Sequence, residues 1–107
     1  MAKRISLVAG LALASLALTA YAADHVVAQK DKQFSVRKLQ IKAGDTVTFR
    51  NDDPFFHNIF SLSSARSFDL GSYPKGQSRS VTFDKPGTVD VECAIHPQMK
   101  MTVEVTK

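Results

Sequence analysis

Residues 83–105 read FDKPGTVDVECAIHPQMKMTVEV, and this stretch decides the fold. Before and after residues 94–100, apolar and polar residues alternate with a period of two, which is typical of strands that bury one face. A Pro-Gly turn precedes the first alternating run, and a short loop after Cys93 separates it from the second. The stretch therefore predicts two strands, the first of which ends with Cys93 on its inward face.

The rest of the chain shows the same short-period patterning and no helix-period segment. Further apolar or alternating runs occur at 26–27, 34–41, 46–50 and 59–62. Residues 63–80 are polar and contain two glycines and a proline, so they predict a long connection with at most a short strand. Seven or eight short strands separated by turn signals indicate an all-β protein with a β-sandwich architecture.

The first twenty-two residues are typical of an export signal. Lys3 and Arg4 precede an almost wholly apolar run over residues 5–20, and Ala20-Tyr21-Ala22 matches the small-x-small cleavage pattern. A membrane anchor is the alternative, but the run is shorter than the roughly 20 residues of a spanning helix. We predict a signal peptide at residues 1–22, a single domain without a membrane span at residues 23–107, and a periplasmic location in a Gram-negative host.

The charge and the cysteine content limit the classes of function. Removal of Lys3 and Arg4 with the signal leaves 12 basic and 10 acidic residues, a net charge of +2. The basic residues are scattered and no basic run is interleaved with aromatics, so no nucleic-acid partner is predicted. Cys93 is the single cysteine, and a lone thiol in an oxidising compartment is expected to be buried or bound to a metal.

Four side chains form a candidate metal site. Cys93, His96 and Met99 lie within seven residues, and the second imidazole, His57, lies far upstream. Two histidines and a thiolate in a plane, with a weak axial thioether, are the ligands of blue-copper sites. Zinc prefers four stronger donors, and iron–sulfur clusters need more thiolates. We therefore predict one copper ion, with Met101 as the alternative to Met99 in the axial position.

Each of these residues also has a simpler interpretation. Cys93 alone would be read as a buried core cysteine, and His96 before a proline as a turn residue. His57 follows a pair of phenylalanines in a loop and has no metal signature of its own. Met101 shares the parity of Val103 and Val105 in a predicted strand, whereas Met99 is predicted to lie in the preceding loop.

Taken together, these motifs resemble the cupredoxins, small blue copper proteins such as plastocyanin, pseudoazurin and amicyanin. Residues 83–93 resemble the family's strand, Pro-Gly turn and strand that lead to the copper cysteine, and His57-Asn58 resembles its upstream histidine followed by asparagine. The Cys-x-x-His-x-x-Met spacing is similar to the short ligand loop of the amicyanin type. The resemblance covers residues 23–107 and implies a monomeric Greek-key β-sandwich that transfers single electrons.

The resemblance also implies roles for particular residues. His96 would conduct electrons through an apolar surface patch formed by Ile95, Pro97 and one of the two phenylalanines, Phe55 or Phe56, where redox proteins dock briefly. Asn58 would connect the histidine loop to the cysteine loop by hydrogen bonds.

Three apolar residues depart from the family pattern. Val89 and Val91 stand where plastocyanins often have aromatic residues, and Ile95 replaces a frequent proline. These departures leave the ligand set intact and bear on the partner and the reduction potential.

Two rival functions remain open at the level of sequence. A copper storage or delivery protein would also bind copper, and an immunoglobulin-like binding module would bind none. An enzyme is not predicted, because four protein ligands leave no open position on the metal and no second cluster of acids, bases or nucleophiles is present. If cleavage follows Ala22, the new terminus Ala23-Asp24-His25 predicts an adventitious second Cu(II) site, the alternative being that His25 is an ordinary strand residue.

Overall fold

The computed structural model describes residues 21–107, so the predicted signal peptide lies outside it except for Tyr21 and Ala22. Those residues contain nine strands. They are β1 (Asp24–Lys30), β2 (Gln33–Phe34), β3 (Lys38–Lys42), β4 (Asp45–Asn51), β5 (His57–Ser61), β6 (Phe68–Tyr73), β7 (Ser78–Phe83), β8 (Gly87–Cys93) and β9 (His96–Thr106). No helix that could cross a membrane occurs within this range.

The strands form two mixed sheets. One sheet has the order β2-β1-β4-β7 and the other has the order β3-β9-β8-β5-β6. Two strand pairs, β1 with β4 and β3 with β9, are parallel, and the remaining pairs are antiparallel. Two facing sheets, with no helix among residues 21–107, confirm the predicted all-β sandwich. The structure has one strand more than the seven or eight predicted. The additional strand is the two-residue β2, which is too short to show periodicity in the sequence.

Alternation along β8 and β9 buries one face of the predicted strand pair. Val89, Val91 and Cys93 are 0%, 0% and 2% exposed, and the residues between them point outward. On β9 the buried positions are Met99, Met101, Val103 and Val105. These apolar faces pack against the other sheet, which is why a period-two sequence is stable in this arrangement.

Aromatic contacts between the sheets strengthen the core. The ring of Phe49 on β4 is fully buried and lies 6.2 Å from Phe68 of the facing sheet and 6.3 Å from Phe34 of its own sheet. Truncating such a phenylalanine to alanine costs about 3–5 kcal/mol. Because small domains are stable by only about 5–15 kcal/mol, this layer is a large part of what holds the sheets together.

The strand registers define two ends of the sandwich. Cys93 pairs with His96 at one end, which we call the Cys93 end. The parallel register of β1 and β4 aligns Asp24 with Thr46 at the opposite end, which we call the Ala23 end. Loops that leave β4 and β8 at the Cys93 end therefore bring residues from both sheets together.

Two local predictions differ from the structure. Residues 63–80 are not mainly a connection, because they contain β6 and the start of β7. The sequence allowed at most a short strand here, because β6 is an edge strand with polar residues and with Gly71 at a positive φ of 72°. Met99 does not lie in a loop, because β9 begins at His96 and already includes it.

Candidate metal centre

Three predicted ligands converge at the Cys93 end. Cys93 ends β8, His57 begins β5 and His96 begins β9, so each lies where a strand meets a loop. Their donor atoms all lie within 4.8 Å of one another. His57 and Cys93 are 0% and 2% exposed, whereas His96 is half-buried. Two of the three donors are thus shielded from solvent, and the third lies at the surface.

The distances between the donor atoms fit a single transition-metal ion. The Cys93 Sγ lies 3.5 Å from Nδ1 of His57 and 3.6 Å from Nδ1 of His96. Metal bonds of about 2.0 Å to imidazole and about 2.3 Å to thiolate in a planar three-ligand site put nitrogen and sulfur about 3.7 Å apart. The imidazole and thiolate donors also match the preference of copper for nitrogen and soft sulfur ligands.

The register of the β8–β9 pair distinguishes the two methionines. Glu92 pairs with Lys100 and Cys93 pairs with His96, so residues 97–99 bulge between these two pairs. Met99 ends the bulge and is 1% exposed. Met101 is also buried but faces Val91 across the hairpin, further into the core. The register therefore favours Met99 over Met101 as the methionine beside the three converging donors.

Asp53 orients the imidazole of His57. Its Oδ2 lies 2.8 Å from Nε2 of His57, and both side chains are almost completely buried. With the proton on Nε2, the imidazole donates this hydrogen bond and presents the lone pair of Nδ1 to Cys93 and His96. A carboxylate in this position fixes the tautomer and the ring orientation of a metal-binding histidine.

A turn between β1 and β2 holds the Asp53 carboxylate in place. The backbone amides of Asp31 and Lys32 donate to its two oxygens at 2.7 and 3.0 Å. Both residues have positive φ angles, 55° and 57°, which point successive amides to one side of the chain. Burial acts to raise the pKa of Asp53, but the hydrogen bonds from His57 and from the two amides outweigh it and leave that pKa below its ordinary value. Asp53 is therefore held as a carboxylate.

Main-chain hydrogen bonds connect the histidine and cysteine loops. The Asn58 amide donates to Sγ of Cys93 at 3.4 Å, and the Ala94 amide donates to the Asn58 carbonyl oxygen at 2.9 Å. The side-chain Oδ1 of Asn58 is buried and has no hydrogen-bond partner in the described chain. Asn58 thus connects the two loops as the resemblance implies, through its backbone.

A second asparagine, which the sequence analysis did not single out, shapes the loop before His57. The side chain of Asn51 donates to the carbonyl oxygens of Phe55 and Tyr73 and accepts from the amide of Asp53. These three bonds fix the loop that carries Asp53 and His57. Asp53 was also missed, because an acid four residues before a histidine has no characteristic signature in a loop.

Aromatic and apolar side chains surround the exposed part of the site. The ring of Phe55 lies 5.4 Å from that of His57 and 5.3 Å from that of His96. Ile95 and Phe56 are 53% and 52% exposed. Burial lowers the pKa of His96, with His57 and Lys32 acting in the same direction. The surroundings thus favour the neutral imidazole, which is the form that binds a metal.

Known proteins share both the sequence pattern and the fold of this chain. The model of a family described as copper binding proteins, plastocyanin/azurin family, matches residues 21–106. Amicyanin-alpha of Methylorubrum extorquens is 34% identical over 76 residues, which cover 68% of this chain and 64% of that protein. Plastocyanin of Pisum sativum is 31% identical over 116 residues, which cover 95% of this chain and 68% of that protein.

A solved structure supports the same relationship. An amicyanin variant in its Cu(I) state superimposes with a TM-score of 0.70 at 28% identity, covering 85% of this chain and 88% of that one. The match to the family model spans nearly all of residues 21–107, including His57, Cys93, His96 and Met99. The chain is therefore a member of the plastocyanin/azurin family of copper-binding proteins.

Proposed function

We propose that this protein carries single electrons between redox partners and holds one copper ion with His57, Cys93, His96 and Met99. The convergence of two imidazoles and one thiolate within 4.8 Å, at a shielded place in a cupredoxin sandwich, is the observation that supports this function best. Bound copper supplies a one-electron couple by alternating between Cu(II) and Cu(I). The amicyanin-alpha match spans 64% of that protein, and electron transfer is therefore proposed for this chain by analogy.

The protein's contribution is a rigid set of donors. His57 is fixed by Asp53, and Cys93 accepts the Asn58 amide at 3.4 Å. Asp53 is itself held by the main-chain amides of the turn between β1 and β2, and Asn58 belongs to β5. Donors that move little when the charge of the site changes keep the reorganisation associated with electron transfer small.

His96 is proposed as the exit for the electron. It is the half-buried member of the set, and its ring contacts Phe55. Ile95 and Pro97, its neighbours in sequence, are exposed and apolar. A mostly uncharged contact of this kind suits a redox partner that docks and leaves quickly. We propose that the carrier works as a monomer.

Export is proposed from the first twenty-two residues. Lys3 and Arg4, the apolar run and Ala20-Tyr21-Ala22 form a complete signal pattern. Ala22 and Ala23 are both exposed, so the bond between them is outside the packed domain. We therefore propose cleavage after Ala22 and a periplasmic location.

Copper delivery is the second candidate function. A delivery protein must release its metal to a partner, and open, exposed sites suit that task. Here His57 and Cys93 are buried, His57 is hydrogen-bonded to Asp53, and the Asp53 amide donates to the side chain of Asn51. These features favour retention of copper. The same closed ligand set leaves no position for a substrate, so we propose no enzymatic turnover.

A visible spectrum of the copper-loaded protein tests the proposed function. The domain beginning at Ala23 should show an intense thiolate-to-copper charge-transfer band that is bleached by ascorbate and restored by oxidation. Cys93→Ser should lose this band, whereas Lys85→Gln, an exposed change at the opposite end, should keep it. Retention of the band in the Cys93 variant, or rapid loss of copper from the wild-type protein to a chelator, would contradict a carrier built on this site.

A further inference from the structure

A buried carboxylate at the Ala23 end is unrelated to the metal centre. Asp45 begins β4 and is 5% exposed. Its Oδ1 accepts the Ala23 N–H at 2.8 Å, and its Oδ2 accepts the Lys42 amide at 3.0 Å and lies 3.0 Å from Nε2 of His25. These donors, with Ala23 first, lower the pKa of Asp45 to about 2. The carboxylate is thus ionised and has no opposing Lys or Arg side chain within ion-pair distance in residues 21–107.

One of the donors to Asp45, the Ala23 amide, lies at the predicted cleavage site. Ala23 directly follows the predicted cleavage site, and its nitrogen belongs to the Ala22–Ala23 peptide bond in the described chain. Tyr21 is 88% exposed, and the first strand begins only at Asp24. Cleavage at this bond would turn the Ala23 amide into an α-ammonium group without requiring the chain to move.

We propose that Asp45 is a binding site for the α-ammonium of the mature protein, and that the Ala23–Asp45 contact becomes an ion pair when the signal peptide is removed. The inference rests on the proposed cleavage after Ala22. A hydrogen bond between two charged groups is stronger than the amide–carboxylate bond it replaces, in which only the acceptor is charged, and the partial burial of the carboxylate strengthens it further. This bond would stabilise the start of β1, which pairs with β4 along six residues.

The charges around the carboxylate are compatible with an added cation. The charged or titratable groups next to Asp45 include His25, which is hydrogen-bonded to the same carboxylate, the exposed Lys42, and the exposed Asp24. The Lys42 side chain opposes a further cation, whereas Asp24 favours one. Ala23 is exposed, so the two new N–H groups of the ammonium can be hydrated.

The ion pair also competes with the Cu(II) chelate predicted for the sequence Ala23-Asp24-His25. That chelate needs a deprotonated amine, two deprotonated amides and a chain that curls around the metal. The fold holds this segment extended, because the Ala23 carbonyl oxygen accepts the Thr46 amide at 3.0 Å in the parallel ladder. His25 is also held on Asp45. We therefore expect the folded domain to resist the chelate.

A thermodynamic cycle tests the proposal on the copper-loaded protein. Four proteins are compared by thermal unfolding: domains beginning at Ala23 or at Ala22, each with Asp45 or with Asp45→Asn. Starting at Ala22 keeps the Ala23 amide donor and moves the ammonium away. We expect the Ala22 start to lower the Tm by several degrees with Asp45 present and to have little effect with asparagine. An equal effect in both backgrounds, or none in either, would overturn the proposal.

Two measurements that do not need the Asp45 variant to fold complete the test. The α-amine should react more slowly with an amine-reactive reagent in the Ala23 protein than in the Ala22 protein, and equal rates would count against the ion pair. With Cu(II) in excess, the Ala23 protein should bind one equivalent. A second, tightly bound equivalent would show that the Cu(II) chelate at Ala23-Asp24-His25 is more stable than the ion pair. The blue band should be the same in all four proteins. Its loss would contradict the proposed function and would not bear on the ion pair. Mass spectrometry of the exported protein tests the cleavage site separately.

Discussion

The sandwich contains two histidine–aspartate pairs of similar geometry, one at each end. Asp53 lies 2.8 Å from His57 at the Cys93 end, and Asp45 lies 3.0 Å from His25 at the Ala23 end. In both pairs the carboxylate also accepts backbone amides. Residue types and distances alone would therefore give the two pairs the same role.

The surroundings of the two histidines separate the roles. His57 is fully buried, and its free Nδ1 faces Cys93 and His96. The His25 side chain is 27% exposed, and it belongs to no group of three potential ligands within residues 21–107. A histidine–carboxylate pair thus supports a metal only where other donors converge on the imidazole. Elsewhere it serves the stability of the fold.

The largest expected effect concerns copper affinity. Asp53→Ala should weaken copper binding by about 10–100-fold, because the imidazole of His57 loses the group that fixes its orientation. Asp45→Ala, the matched change at the other end, should leave copper binding within about two-fold, since changes at distant sites are nearly independent. Competition with a chelator of known affinity measures both, and equal losses in the two variants would contradict the division of roles.

A smaller effect is expected in the acid stability of the Ala23 end. The pKa of Asp45 is about 2 in the folded protein against 3.8 for an ordinary aspartate, so the unfolded chain binds its proton first as the pH falls. The ionised carboxylate therefore stabilises the fold fully above pH 3.8 and loses this contribution as the pH falls toward about 2.

Stability curves of the wild-type protein and Asp45→Asn should reveal this loss. The free energies of unfolding should differ by a constant amount at neutral pH and approach each other below pH 3.8. Asp53 is present in both proteins, so its own titration cancels in the difference. A difference that stays constant down to pH 2 would show that Asp45 does not stabilise the fold through its charge.

The smallest effect is expected for His25 itself. His25→Gln should reduce the stability by less than about 1 kcal/mol, because the side chain is partly exposed and Asp45 keeps its two main-chain donors. Chemical denaturation measures the change, and the visible spectrum should stay as in the wild-type protein. A larger loss would mean that His25, rather than the Ala23 nitrogen, is the main partner of Asp45.

The ligand set illustrates how much could be predicted from local sequence. Cys93, His96 and Met99 were predicted because their spacing within seven residues has few alternatives once a strand ends at Cys93. His57 was predicted because the downstream motif calls for a second imidazole, since a histidine after two phenylalanines has no local signature. The structure brings His57, Cys93 and His96 together. The register break beside Met99 then supplies a reason to prefer it to Met101, which the sequence left open.

The supporting residues show the limit of such reasoning. Asp53 and Asp45 are ordinary acids in the sequence, and their partners at Asp31, Lys32 and Ala23 are 21 or 22 residues away. These contacts involve main-chain amides, which every residue type except proline possesses, so no pattern of residues predicts them. The edge strand β6 was predicted only as a possible short strand for a related reason, because its pairing with β5 depends on the backbone and the residues Gly71 and Ser72 interrupt its alternation.

By itself, the sequence determined the class of the fold and the chemistry of the metal, because period-two alternation selects strands and a thiolate, imidazoles and a thioether select copper. The tertiary structure alone decided which carboxylate lies beside the metal ligands and which one accepts the Ala23 amide. The physical reason is that a buried carboxylate takes its role from whatever donors the packed sheets bring within hydrogen-bonding distance. That proximity arises only when the parallel β1–β4 pair and the β8–β9 hairpin come together.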